Sequence, residues 1–118
     1  MSLARGDVAL ARFPHTASGR GKKRPVVIIQ ADTYNQALPH VVVAEVTTNL
    51  ININDPAHLH IEVSTPDGQA TGLLTASLVS CVLLATIDAD RVDRVIGKLS
   101  PALLQKLDAC LKAALGLP

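Results

Sequence analysis

Two runs of β-branched residues, Pro25-Val-Val-Ile-Ile29 and His40-Val-Val-Val-Ala-Glu-Val-Thr-Thr48, decide the fold of this chain of 118 residues. A continuous run of Val and Ile predicts a strand that is buried on both faces or lies at a tight seam. The run from His40 to Thr48 predicts another strand. The chain is therefore expected to be built mainly on β structure.

Shorter patterns on either side extend this β structure. Three further stretches predict strands, with one or two in the last: 7–13, 58–63 and 72–87. The segments between the strands are rich in turn formers: 14–23 and 49–57 predict loops, 66–68 predicts a turn, and 32–35 predicts a turn or one helical turn. Residues 90–96 predict a short helix with Val92, Val95 and Ile96 facing inward.

The hydrophobic period changes at the end of the chain. Ser100-Pro101 predicts a capped helix start, and Gly116 and Pro118 predict its end. Between them, apolar residues recur at helical spacing: Leu103, Leu104, Leu107, Cys110, Leu111, Ala114 and Leu115. Strands followed by one amphipathic helix predict a small, mostly antiparallel barrel with helices packed on it. We expect one domain over residues 1–118.

Composition excludes several classes of protein. Hydrophobic residues make up 48% and charged residues 18%, which is ordinary for a globular chain and excludes a disordered one. No apolar run approaches the roughly 18 residues of a membrane-spanning helix, and the first residues lack a signal-peptide pattern. The chain is therefore expected to be cytoplasmic, without a membrane partner, and Cys81 and Cys110 are expected to be reduced, buried thiols.

Positive charge is concentrated near the start of the chain. Residues 1–24 contain one acidic residue, Asp7, against six basic ones: Arg5, Arg12, Arg20, Lys22, Lys23 and Arg24. The remainder is net negative. This asymmetry fits an anion-binding patch, although a solvated loop explains the charge alone more simply. Because Phe13 and Tyr34 are the only aromatic residues, contacts to a nucleic acid would rest on charge, hydrogen bonds and backbone shape rather than stacking.

Motifs for other chemistry are lacking. The sequence has no nucleophile elbow, phosphate-binding loop or supported carboxylate pair. His58 and His60 share one face of a strand, but no third ligand matches them, so an exposed strand face is expected rather than a metal site. His15 lies beside the basic cluster and is weak evidence for phosphate contact or proton transfer. No metal or other cofactor is expected.

The strongest site candidates are Arg24 and Thr47. Arg24 leaves a loop just before a rigid strand, and its planar guanidinium suits a phosphate. Thr47 shares a strand face with Glu45, the only charged residue of that strand, so this face is expected to be solvated or to line a groove. Thr48 is then expected to point toward the core. Taken singly, either threonine is equally explained as an ordinary strand residue.

An ordered set of motifs resembles the MazF/PemK toxin family: Arg5-Gly6-Asp7-Val8, Phe13-Pro14, Gly21-Lys-Lys-Arg-Pro-Val-Val-Ile-Ile-Gln30, Val43-Ala-Glu-Val-Thr-Thr48 and Thr86-Ile87-Asp88. The resemblance covers almost the whole chain. It implies a compact SH3-like barrel with a C-terminal helix, like that of PemK and CcdB, and a homodimer. It also implies a sequence-selective, metal-independent endoribonuclease of a type II toxin-antitoxin system, inhibited by a cognate antitoxin that occupies the RNA groove.

Carried over by residue, the resemblance implies that Arg24 and Thr47 are catalytic. The ribose 2′-hydroxyl would attack the adjacent phosphorus of single-stranded RNA, leaving a cyclic phosphate. The residues implied to bind RNA are Arg20, Lys22, Lys23 and, beside the catalytic threonine, Thr48. The chain departs from the family in the apolar stretch 82–85, where polar groove residues are frequent, and at Ser18, where some plasmid members place a histidine.

A second class of function stays open. A non-catalytic relative of the same barrel could act by binding a protein target, as CcdB-like proteins do, or serve only as a structural barrel. The presence of Arg24 with Thr47 favours the enzyme, since a protein binder needs neither. The aliphatic stretch Leu78–Leu84 and part of the terminal helix are expected to form the dimer seam, because one small barrel cannot easily hide so many apolar side chains.

Overall fold

The computed structural model describes residues 2–12 and 22–118, and six strands of this part form one antiparallel sheet. The elements follow in chain order: β1 Asp7–Arg12, β2 Lys23–Ile28, α1 Asp32–Ala37, β3 His40–Thr47, β4 His58–Ile61, α2 Pro66–Ala70, β5 Ser77–Asp88, a 3-10 turn Ala89–Arg91, β6 Val92–Lys98 and α3 Pro101–Leu115. The strand order across the sheet is β4-β5-β3-β2-β1-β6. The predicted mainly antiparallel β fold with a C-terminal helix is confirmed.

The sheet is barrel-like but open. β4 and β6 are its two edges, and in the described part of the chain they do not pair with each other. β3 and β2 lie in the middle, as expected for the two runs of β-branched residues. At its start β2 pairs with β1, with Arg24 opposite Ala11, and at its end β3 pairs with β5, with Thr47 opposite Leu78.

Both faces of the central strands are buried, as the sequence predicted for β2. Val26 and Ile28 face one core, whose other buried members are Ala9, Ala11, Val41, Val43, Ile87 and Val92. Val27 faces a second core together with Ala44 and Val46, and α3 covers this side with Leu103, Leu107 and Cys110. Alternate side chains of one strand thus fill two cores.

The terminal helix forms as its sequence predicts. The Ser100 hydroxyl accepts a hydrogen bond from the Leu103 amide at 3.2 Å, and Gly116 ends the helix with a φ of 68°. Arg5 ties the helix to the start of β1, because its Nη2 donates to Asp108 Oδ1 at 2.6 Å and its Nε donates to the Ile29 carbonyl at 3.0 Å.

Some local predictions are wrong. Residues 90–96 form the 3-10 turn and most of β6, not a helix. The β1–β6 register shifts twice, so the apolar residues of β6 lose their strict alternation and mimic helical spacing. The predicted turn at 66–68 instead starts the short helix α2, and β4 ends at Ile61 rather than at residue 63. Of the one or two strands predicted within 72–87 the structure has one, which begins at Ser77.

Cys81 and Cys110 are free, buried thiols, as predicted. Burial, with a smaller contribution from nearby Cys110, raises the pKa of Cys81 to about 12. Burial and then Asp55 raise the pKa of the Cys110 thiol as well. Both thiols are therefore structural rather than nucleophilic. None of the helices in the described residues is both long and apolar enough to cross a membrane.

Candidate active site

Arg24 and Thr47 lie near the same end of two paired strands. In the β2–β3 ladder Val26 lies opposite Glu45, Val27 opposite Ala44 and Ile28 opposite Val43. Arg24 and Thr47 each lie two residues beyond the Val26–Glu45 pair, at which the ladder ends. The two residues that the sequence singled out thus flank one end of this ladder.

Both side chains also lie on the same face of the sheet. Side chains two residues apart in a strand share a face, so Arg24 goes with Val26 and Thr47 with Glu45. Arg24 is exposed and Thr47 is half-buried. An anionic ligand can therefore reach the exposed guanidinium of Arg24 and contact the hydroxyl of Thr47, whose position is fixed by the strand.

Thr47 lines a groove of about 240 Å³ with both polar and apolar walls, here called the Thr47 groove. Its walls include Glu45, Thr47, Asn49, His58, Ser80 and Leu83. The Thr47 hydroxyl oxygen accepts a hydrogen bond from the Asn49 amide at 3.1 Å, and Asn49 Oδ1 accepts from the Ile51 amide at 3.0 Å. Because this bond occupies only one lone pair of the oxygen, the Thr47 hydroxyl can still donate a hydrogen bond to a ligand oxygen.

The interpretation of the Glu45 face as solvated is wrong. Glu45 is only 7% exposed, because both faces of β3 are covered and a charge in this strand does not mark solvent. Thr47 nevertheless shares the groove with Glu45, so its expected position is confirmed. Thr48 is exposed rather than turned to the core.

Thr48 opens onto a different groove. This second groove, of about 440 Å³, is lined mainly by apolar side chains, with Arg94 at one wall. Pro25 and Leu73 contribute to it, and Leu74 is almost fully exposed beside them. Thr47 and Thr48 thus line two different grooves, because adjacent residues of extended backbone point to opposite faces.

His58 is not on an exposed strand face as predicted. Its side chain is 8% exposed, and its two ring nitrogens lie 2.6 Å from Asp55 Oδ2 and 3.1 Å from Ser80 Oγ. His60 is exposed, with Glu62 at 3.9 Å. Within residues 2–12 and 22–118 no group of three His, Cys, Asp or Glu side chains is arranged to hold a metal ion.

Sequence reasoning missed the polar neighbours of Thr47. Asp55, Ser80 and the buried position of Glu45 were not identified as parts of a site. The spacing of Asp55 and His58, three residues apart across a turn into β4, is a local signal that could have indicated their contact. Ser80 could not have been found, because its place beside His58 depends on strand pairing distant in sequence.

The described basic residues beside Arg24 do not share one face. Lys22 is exposed just before β2. Lys23 points to the opposite face from Arg24 by strand alternation, and its Nζ forms an ion pair with Asp93 Oδ1 at 3.2 Å. The other residues singled out near Arg24 lie outside the described part of the chain: Arg20, His15 and Ser18.

The predicted dimer seam is only partly on the surface. Leu78, Val79 and Cys81 are buried within the protein's own interior. Val82 and Leu83 are exposed, because the β3–β5 register jumps from Ala44–Leu84 to Glu45–Ser80 and leaves residues 81–83 as a bulge. Of these two exposed residues, Leu83 also lines the Thr47 groove.

Comparison with known families gives a match over most of the chain. The model described as PemK-like, MazF-like toxin of type II toxin-antitoxin system matches residues 4–115. The chain belongs to this family. The family inferred from the sequence motifs is thus confirmed.

Relatives of known name agree with this membership. Endoribonuclease EndoA of Bacillus subtilis strain 168 is 31% identical over 118 residues, covering 99% of this chain and 97% of that protein. A mycobacterial endoribonuclease solved in complex with its cognate antitoxin is 25% identical, with a TM-score of 0.77 over 98% of this chain and 97% of that one. Mycobacterium tuberculosis toxin MazF-mt6, at 24% identity, shares the fold with a TM-score of 0.77 over 95% of this chain and 98% of its own.

Proposed function

We propose that this family member is the toxin of a type II toxin-antitoxin system and a sequence-selective endoribonuclease that cleaves single-stranded RNA without a metal ion. The observation that supports this most is that Arg24 and Thr47 flank the same end of the β2–β3 ladder, with Thr47 lining a groove. A protein that acts only by binding another protein needs neither residue. Family membership and the endoribonuclease relatives support the same activity.

The proposed reaction is an internal transesterification. The ribose 2′-oxygen forms a bond to the adjacent phosphorus as the bond from phosphorus to the 5′-oxygen of the next nucleotide breaks. The products are a 2′,3′-cyclic phosphate and a 5′-hydroxyl end. Arg24 neutralises the charge that accumulates on the phosphoryl oxygens, and Thr47 donates a hydrogen bond to one of them. Fixed donors of this kind are a large source of rate acceleration.

Other basic and polar residues extend the RNA contact. Lys22 and Lys23 attract flanking phosphates, as does Arg20. Thr48 binds RNA on the other side of the strand end. With few aromatic residues available, the chain holds RNA chiefly through its phosphates and ribose hydroxyls.

The remaining partners are proposed from the family and the surface. A cognate antitoxin would bind this protein, as one binds the mycobacterial relative in its solved complex. A homodimer would cover the exposed Val82 and Leu83. The protein would act in the cytoplasm, where RNA is present, as a single domain over residues 1–118.

Digestion of a long, diverse single-stranded RNA in the presence of EDTA tests the proposed function. Wild-type protein is compared with Arg24→Ala and with Lys106→Ala, an exposed change on α3 away from the site. We expect discrete cuts from the wild type and Lys106→Ala, and none from Arg24→Ala. Absence of cleavage by folded wild-type protein would contradict the proposal and favour a relative that binds a protein target.

A further inference from the structure

Three polar residues form a row across three neighbouring strands. Glu45 of β3 lies opposite Ser80 of β5, and Ser80 lies opposite His58 of β4. Because directly paired residues share a face, all three side chains point the same way, and all three line the Thr47 groove. This row runs along the wall of the groove, starting two residues from Thr47.

The far end of the row is held rigidly. His58 is bonded through both ring nitrogens, to Asp55 at 2.6 Å and to Ser80 at 3.1 Å, while Ser80 is 1% exposed. Buried polar groups with their partners in place resist movement. Neither imidazole nitrogen has a lone pair or proton left for a ligand in this arrangement.

The proposed reaction needs a group that the two catalytic residues do not supply. The 2′-hydroxyl must lose its proton as it attacks phosphorus. Arg24 does not supply this group, since a guanidinium has no lone pair available to accept a proton. Thr47 serves as a hydrogen-bond donor. An ionised carboxylate can accept a proton. Among the described side chains that line the Thr47 groove, Glu45 is the one that carries a carboxylate.

Resting on the function proposed above, we propose that Glu45 is a further catalytic residue, the group that accepts the 2′-hydroxyl proton. The proton passes to the Glu45 carboxylate as the 2′-oxygen bonds to phosphorus. The departing 5′-oxygen takes a proton from water, and the hydroxide so formed takes the proton from Glu45. Atoms and charge balance, and the carboxylate is restored.

Charged and titratable groups surround Glu45. From β2, Arg24 shares its face; from β4, His58 lines the same groove; and Asp55 lies behind His58. β5 contributes the uncharged Ser80 and Leu83. Protonating the carboxyl group removes the acceptor, so the cleavage rate is expected to fall on the acid side of its pH profile.

Glu45→Gln keeps the size of the side chain and removes its basicity. Single-turnover cleavage is measured from pH 5 to 9 for the wild type, Glu45→Gln, His58→Gln and the control Lys106→Ala. We expect Glu45→Gln to lose roughly 10²- to 10⁴-fold in rate and to lose the acid limb of the profile. Its affinity for RNA with 2′-deoxyribose at the cut site should stay close to that of the wild type.

Three results would overturn the proposal. The first is Glu45→Gln cleaving at the wild-type rate with an unchanged pH profile. The second is a loss of affinity for the uncleavable RNA as large as the loss of rate, which would assign Glu45 to substrate binding. The third is disappearance of the acid limb in His58→Gln but not in Glu45→Gln, which would assign the proton to His58.

Chemical rescue provides a second test that does not depend on the folding of one variant. Glu45→Ala leaves space for a small carboxylate, so added acetate is expected to restore cleavage in proportion to its concentration. Arg24→Ala should gain nothing from acetate, and absence of rescue in folded Glu45→Ala would count against the proposal. If the wild type itself does not cleave RNA, the proposed function fails; if it cleaves and Glu45 variants match it, only this inference fails.

Discussion

Val26 of β2 lies directly opposite Glu45 of β3, and this pairing organises the candidate active site. Arg24 and Thr47 each lie two residues beyond this pair, at the end of the β2–β3 ladder. The pairing also places a carboxylate on the same face as the guanidinium and the hydroxyl. Strand pairing in the middle of the sheet thus positions the candidate site residues at the strand ends.

Replacing Arg24 with lysine tests whether charge alone suffices. Lys keeps the positive charge but lacks the planar guanidinium that binds two phosphoryl oxygens at once. Hydrogen bonds to charged groups contribute about 1.5–3 kcal/mol, so we expect Arg24→Lys to cleave roughly 10- to 100-fold more slowly. Single-turnover rates measure the effect. A wild-type rate in this variant would show that the planar geometry is not needed.

Thr47 offers a matched pair of substitutions. Thr47→Ser keeps the hydroxyl, whereas Thr47→Val keeps the shape and removes it. We expect Thr47→Ser to retain cleavage within a few-fold and Thr47→Val to lose roughly 10- to 100-fold, the worth of one hydrogen bond to a charged transition state. Thr47→Val should also unfold more easily by about 1 kcal/mol, because the Asn49 amide loses its acceptor. Equal cleavage rates in the two variants would remove Thr47 from the mechanism.

Stability should fall at alkaline pH through Cys81. Burial raises its pKa from 9.0 to about 12, so the folded state keeps a proton that the unfolded state gives up. This contribution is therefore complete below pH 9 and is lost as pH rises toward 12. Denaturant unfolding between pH 7 and 11 should show a steeper decline in the wild type than in Cys81→Ala. Identical slopes would mean that the thiol does not contribute.

Two glycines with positive φ should respond differently to alanine. At Gly72, with a φ of 74°, an added Cβ would lie 2.1 Å from the Ile96 carbonyl oxygen; at Gly116, with a φ of 68°, it would meet nothing within 4 Å. We expect Gly116→Ala to cost about 1 kcal/mol of unfolding free energy, from backbone strain alone. Gly72→Ala should cost clearly more, since backbone must also move. Equal melting temperatures in the two variants would contradict this.

The sequence predicted the parts of the fold that depend on local patterns. The capped helix α3, the run of Val and Ile in β2 and the end of β3 at Thr47 are each encoded by neighbouring residues. β6 was mistaken for a helix because bulges in the β1–β6 pairing disturb the two-residue period of its apolar residues. Such bulges depend on the partner strand and leave no clear local pattern.

The candidate site was predictable to a similar degree. Arg24 and Thr47 could be singled out from their positions at strand ends and from family motifs. The polar row of Glu45, Ser80 and His58 could not, because it joins three strands whose register is set by long-range pairing. Because Glu45 is the only charged residue of β3, the sequence predicts that its face is solvated. Packing of the neighbouring strands instead buries Glu45 in the wall of the Thr47 groove.

Cleavage of one defined single-stranded RNA, compared with the same RNA carrying a single 2′-deoxyribose at the cut site, tests the proposed mechanism most directly. With EDTA present, we predict that the all-ribose strand is cut to a fragment whose mass shows a 2′,3′-cyclic phosphate. The deoxy strand should bind with similar affinity and remain intact. Cleavage of the deoxy strand at the same position would contradict attack by the 2′-hydroxyl and, with it, the roles assigned to Arg24 and Thr47.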